Sequence, residues 1–207
     1  MGSTTSLSGA TVPPTNEVRR GFKAEAERIA TETRLELGLG RTARLEPIDL
    51  ARHLAIPVLT MQQLGSYGNG TVDYCAYFST ADPDSFSAVT IFVQRHRRLI
   101  VHNENHHPNR QASNLSHEIS HTLLEHAPTS IVGANGQRFW NAEVEQEATW
   151  LGAALLVPRE GALQLVRNGA NISEIAAHFG VSESLCSWRI VQTGIRQQIE
   201  RSKRWYG

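Results

Sequence analysis

The spacing of hydrophobic positions changes twice along this chain. Over residues 17–37, Val18, Phe22, Ala26, Ile29, Ala30 and Thr33 fall on one stripe among charged residues, which predicts an amphipathic helix. Gly38 and Gly40 then supply its stop signal. A shorter helix is predicted over residues 47–54, with Leu50 and Leu54 facing inward. Beyond it, residues 56–64, 72–78, 88–93 and 99–102 form β-branched or alternating runs separated by Gly, Asn, Asp and Pro, the pattern of short strands. After Pro108 the spacing is helical again to the last residues. Helices, then strands, then helices predict an α+β domain with a small antiparallel or mixed sheet. The expected organisation is a disordered tail over residues 1–17, a main domain over 18–160 and a helical C-terminal region over 161–207 packed on it.

Composition narrows the function classes. The chain has 207 residues, 40% of them hydrophobic, enough to bury a core and to exclude wholesale disorder. Twenty basic residues balance twenty acidic ones, which argues against a nucleic-acid coat or a polybasic membrane binder. No apolar run approaches the roughly 18 residues of a membrane span. Cys75 and Cys186, far apart and with no CxxC pairing, do not make a disulfide scaffold. The Ser/Thr-rich first residues lack the apolar segment of a signal peptide. Gly2 with Ser6 meets the myristoylation pattern, but that pattern is short and a floppy tail is the favoured reading. These features together predict a cytoplasmic protein in a reducing compartment.

Nine histidines stand out, eight of them between His53 and His126. Two belong to His117-Glu118-Ile119-Ser120-His121. In a helix, residues four apart share a face, so His117 and His121 can present two imidazoles to one ion. Glu118 stands next to the first of them, where it can reach an attacking water rather than the ion. The motif falls in a predicted helix, capped by Asn109 and uninterrupted until Pro128. At about 100° per residue, Ala112, Leu115, Ile119 and Leu123 form one apolar face, with His117 and His121 nearly opposite. Two ordinary, partly buried histidines would show the same spacing, so the motif needs a third ligand from another element.

A helix over residues 141–157, ending before Pro158, offers one. Its start carries Glu143, Glu145 and Glu147, which the same angular arithmetic separates. Glu145 shares a face with Ala148, Gly152 and Leu156, where small residues permit close approach of the motif helix. Glu143 and Glu147 project to the other side, near Trp150 and Ala154. Glu145 is therefore the expected third ligand, with Glu147 in reserve. Two His, one Glu and an open fourth position form a catalytic rather than structural Zn2+ pattern.

Residues from about Phe22 to Arg189 resemble the ImmA/IrrE family of metallo-endopeptidases. The matching pieces are Pro47-Ile48-Asp49-Leu50, Ile56-Pro57-Val58 and Asn114-Leu115-Ser116 running into the motif. Most telling is Glu145-Gln146-Glu147-Ala148 through Ala153-Ala154-Leu155-Leu156-Val157-Pro158, a Glu, an Ala-rich helix and then Leu-Leu-x-Pro. The chain departs at Thr149, where the family usually has Asn or Asp, and at Leu151-Gly152, where it often has Phe-Ala. Thr149, one turn after Glu145, can still orient a ligand histidine. The resemblance implies a zincin-like, gluzincin-like fold. It also implies cleavage of a partner transcriptional repressor, often of the helix-turn-helix type, in a regulatory or stress response. Zinc on His117, His121 and Glu145 would activate a water for which Glu118 is the general base. Candidates for a second, transition-state-stabilising electrophile are Tyr74, Tyr77, His178 and Arg189.

Other features are weaker. His102, His106 and His107 suit a polar loop better than a second metal site, and His126 falls at the frayed end of the motif helix. Arg95, Arg97 and Arg98 read as a solvated turn or a docking patch for an acidic partner. The rival function comes from residues 173–189, which have the apolar spacing and Gly turn of a helix-turn-helix. That reading makes the chain a DNA-binding regulator with a metal-sensing N-terminal domain. Its second helix, however, brings Ser, Cys, Trp and a single Arg, whereas DNA readers bring several basic or amide side chains. Direct nucleic-acid binding is therefore disfavoured against a packing or substrate-docking role.

Overall fold

The structure is a computed structural model and describes residues 18–66, 86–93, 97–126 and 141–206. The first helix, α1 (Phe22–Glu36), buries Phe22, Ala26 and Ala30, the stripe expected from their spacing. Helix α2 (Pro47–His53) follows, and then β1 (Val58–Thr60). The expected strand over 56–64 is only partly one, because Thr60 and Gln63 form a reciprocal capping box that starts α3 (Met61–Gly65). Side-chain caps of this kind override the apolar run. The predicted strand over 72–78 lies outside the described residues.

Strands β2 (Ala88–Val93) and β3 (Arg97–His102) complete a mixed sheet of order β1-β3-β2. β1 runs parallel to β3, with Val58 opposite Ile100; β2 runs antiparallel, with Thr90 opposite Ile100. The sheet packs against α4 (Pro108–Leu123), which carries the His-Glu motif. Asn109 was the expected cap of α4. Instead His107 caps it, its Nδ1 accepting from the Asn109 amide, while the Asn109 side chain donates to the Val181 carbonyl at 3.0 Å. Nor does α4 run on toward Pro128: it ends at Leu123, and Glu125 turns the chain at a φ of 52°.

Helix α5 (Ala142–Leu156), capped by the Asn141 side chain, lies between α4 and α1. It approaches α4 closely at Gly152, whose carbonyl accepts from the buried Ser116 hydroxyl at 3.0 Å. The C-terminal end of α5 leaves carbonyls without helical partners, and two buried arginines satisfy them. Arg34 of α1 donates to the Leu155 carbonyl at 2.8 Å, and Arg189 donates to the Val157 carbonyl at 3.1 and 3.2 Å. Arg189 belongs to α8 (Glu183–Gln192), which follows α6 (Arg159–Arg167) and α7 (Ile172–Phe179) and precedes α9 (Ile195–Tyr206). Ala162, Leu163, Ile175, Phe179, Cys186 and Ile190 from this region share one core with Phe22, Leu50, Leu115, Ile119 and Leu151. The fold is α+β with a small mixed sheet, consistent with a zincin-like domain. No helix among the described residues is long and apolar enough to cross a membrane.

Candidate metal centre

The four-residue spacing of His117 and His121 puts their rings on one face of α4, with Nε2 atoms 3.1 Å apart. Across from them, Glu145 projects from the first turn of α5, its Oε2 lying 3.2 Å from His117 Nε2 and 3.7 Å from His121 Nε2. Among the described residues these three form the one group of ligand-type side chains close enough to share an ion. With zinc–ligand bonds of about 2.0–2.1 Å, tetrahedral ligands stand about 3.3 Å from one another, and the three separations bracket that value. The donor set therefore fits a small divalent cation. The three side chains are 17–26% exposed, so the cluster is not sealed from solvent as a closed structural site would be.

The electrostatics agree. Burial alone would raise the pKa of Glu145. Hydrogen bonds and positive charge from His117 and His121 outweigh it and hold the carboxyl well below the usual carboxylate range. An anionic donor thus faces two imidazoles at any working pH. Thr149 stands one turn along α5 with its Oγ1 3.2 Å from His117 Nδ1, placed to accept that nitrogen's proton and leave Nε2 for an ion. Glu118 points instead to the sheet, where its Oε2 accepts a 2.6 Å hydrogen bond from the Thr90 hydroxyl of β2.

The other expected candidates are placed elsewhere. Glu147 turns away from the three ligand atoms; Arg19 Nε donates to its Oε1 at 2.7 Å. His178 sits against the Thr42 carbonyl at 2.6 Å and edge-on to Phe179. The Arg189 guanidinium is 1% exposed and committed to Val157 and to Glu27 Oε1 at 2.7 Å. Both side chains are thus engaged with partners other than the three ligand residues. The same burial removes the one basic side chain that the DNA-reading helix would have offered. Tyr74, Tyr77 and Arg95 lie outside the described residues. Arg98 does not form a free docking patch, since it donates to Thr122 and to the His126 carbonyl.

Four residues were not legible in the sequence. His126 is not frayed: its side chain is 10% exposed, with Nδ1 2.9 Å from His121 Nδ1 and Nε2 3.4 Å from Glu147 Oε2. Burial, and then the nearby His121, lower its pKa against the pull of Glu147. Thr90 gave no local signal, because only the packing of β2 on α4 brings it to Glu118. His102 and His106 are buried at 7% each rather than displayed on a polar loop.

A peptidase-family model described as the IrrE N-terminal-like domain matches residues 80–190, a span holding the motif helix, Glu145 and the helices to α8. No curated protein matches the chain. The family is one of metal-dependent peptidases, and the match covers more than half of the sequence, including all three donor residues. This chain belongs to the IrrE N-terminal-like peptidase family.

Proposed function

We propose that the protein is a zinc-dependent endopeptidase whose substrate is a partner transcriptional repressor of the helix-turn-helix type, cleaved in a regulatory or stress response. The observation that carries the peptidase reading is the convergence of His117, His121 and Glu145 on one point, with Glu118 next to His117 in the chain and its carboxylate held by Thr90. The repressor as substrate rests on the resemblance to the ImmA/IrrE family, and the balanced charge suits a protein partner better than DNA.

His117, His121 and Glu145 would hold the zinc ion, which would supply Lewis-acid chemistry at the scissile carbonyl and lower the pKa of the attacking water. Glu118 takes the proton of that water and passes it to the leaving amine. Thr90 holds the carboxylate in place through its hydroxyl, and Thr149 holds the His117 ring. β2 is an edge of the sheet among the described residues, so an extended substrate can add to it as a further strand. Tyr74 and Tyr77 remain the candidates for the second electrophile.

The test compares wild type, Glu118→Gln and His117→Ala for bound metal and for cleavage of a repressor captured by the Glu118→Gln protein. Glu118→Gln should keep the metal and lose cleavage, whereas His117→Ala should lose both. Wild-type cleavage by Glu118→Gln would remove the general-base assignment, and full metal content in His117→Ala would remove the site.

A further inference from the structure

A neutral imidazole binds an ion through one nitrogen only if the proton sits on the other. Ligation by His121 Nε2 therefore needs a proton on Nδ1 and an acceptor for it. The atom 2.9 Å from that Nδ1 is Nδ1 of His126. Two nitrogens at this distance cannot both carry hydrogen, so His126 accepts at Nδ1 and carries its own proton on Nε2. That Nε2 lies 3.4 Å from Glu147 Oε2, a carboxylate oxygen that can only accept, and Arg19 Nε fixes the other carboxylate oxygen at 2.7 Å. From His121 through His126 to Glu147, each link donates toward the carboxylate.

The backbone delivers His126 to this place. The His126 amide donates to the His121 carbonyl at 3.0 Å and the Glu125 amide to the Thr122 carbonyl at 3.1 Å, a Schellman ending of α4. Glycine usually occupies the left-handed position of such an ending; here it is Glu125, at a φ of 52° that is strained for a residue with a side chain. The turn folds His126 back under His121, with the His126 and Glu147 side chains each 10% exposed.

We propose that His126, oriented by Glu147, is a positioning residue that fixes the tautomer of His121 and so presents Nε2 to the ion. The inference rests on the metal-site reading above and goes beyond it. His117 finds its acceptor in Thr149, so each ligand histidine has its own partner, on a different element.

The experiment measures Zn2+ affinity of the full chain by competition with a chelator, the visible spectrum of the Co2+-loaded protein, and the melting temperature without metal. His126→Phe fills the space and offers no acceptor. His126→Asn places an amide oxygen near the position of Nδ1. His126→Phe should bind Zn2+ roughly 10–100-fold more weakly and change the Co2+ spectrum, and His126→Asn should recover most of the affinity. Glu147→Gln should fall between them. Wild-type affinity in His126→Phe, or a loss in His126→Asn as large as in His126→Phe, overturns the proposal, since the second pattern marks packing alone. If His126→Phe fails to fold, His126→Asn and Glu147→Gln decide: a Glu147→Gln affinity equal to wild type overturns it. A wild-type chain that does not bind Zn2+, or a His117→Ala chain that binds it fully, defeats the metal site itself, and the proposal with it. Full binding in His126→Phe beside lost binding in His117→Ala defeats the His126 role alone.

Discussion

Gly152 faces the backbone of His117 at a spacing that leaves little room for a β-carbon. A β-carbon at Gly152 would stand 3.1 Å from the His117 nitrogen and 3.2 Å from the Ser116 carbonyl carbon and oxygen. Those atoms are helix backbone and cannot swing aside, so α5 would have to back away from α4. Glu145, two turns earlier on α5, would move with it. Gly152→Ala should cost about 1–3 kcal/mol of stability, the usual penalty of overpacking. It should also weaken metal binding, because the Glu145 oxygen leaves the two imidazoles. Melting and chelator competition on one preparation check both. An Ala variant with wild-type metal affinity would mean that the helix spacing does not set the ligand geometry.

Thr90 is the sheet's contribution to Glu118. Replacing it with Val keeps the β-branched shape that the strand prefers and removes the 2.6 Å hydrogen bond to the carboxylate. Glu118 then loses its fixed orientation while the three metal donors stay as they are. Thr90→Val should lower kcat by roughly tenfold, with metal content and KM little changed, the signature of a misplaced general base. If metal content falls in parallel with kcat, Thr90 supports the ligand cluster instead.

The features legible in the sequence were those set by local geometry. The four-residue spacing of His117 and His121 and the faces of Glu145 and Gly152 follow from one helical period, and the structure keeps both. What escaped depends on chain reversals and on packing between distant segments. His126 was misjudged because a Schellman ending normally announces itself with glycine, and Glu125 stands there instead. Asn109 looked like a cap, yet its side chain has a partner at Val181, 72 positions away. The strand expected over 56–64 stopped at Thr60, where a capping box inside an apolar run redirects the chain.

Arg189 illustrates the same limit and yields a prediction. By position it was a candidate for the reaction; in the fold it ties α8 to the end of α5 and to Glu27 of α1. Arg189→Met should lower stability by up to about 3 kcal/mol, since it strips a buried cation from Val157 and from a carboxylate that stays partly hydrated. Turnover per folded molecule should be unchanged. Normal melting with collapsed turnover would return Arg189 to the reaction.

Cys186 is fully buried on α8, and burial, followed by the charge of Glu183, pushes its thiol from 9.0 up to about 11. At pH 8 the native thiol therefore stays protonated and enclosed. In a Cys75→Ser background, a thiol reagent at pH 8 should label Cys186 far more slowly in native protein than in denaturant. The raised value also gives stability a sign. The group's contribution is complete below the unfolded value and is lost as pH rises through the native one, so the window is roughly pH 9 to 11. Wild type should lose more stability across that window than Cys186→Ala, measured by denaturant unfolding at each pH. Equal losses, or native labelling as fast as denatured labelling, would show that the Cys186 thiol is open to water.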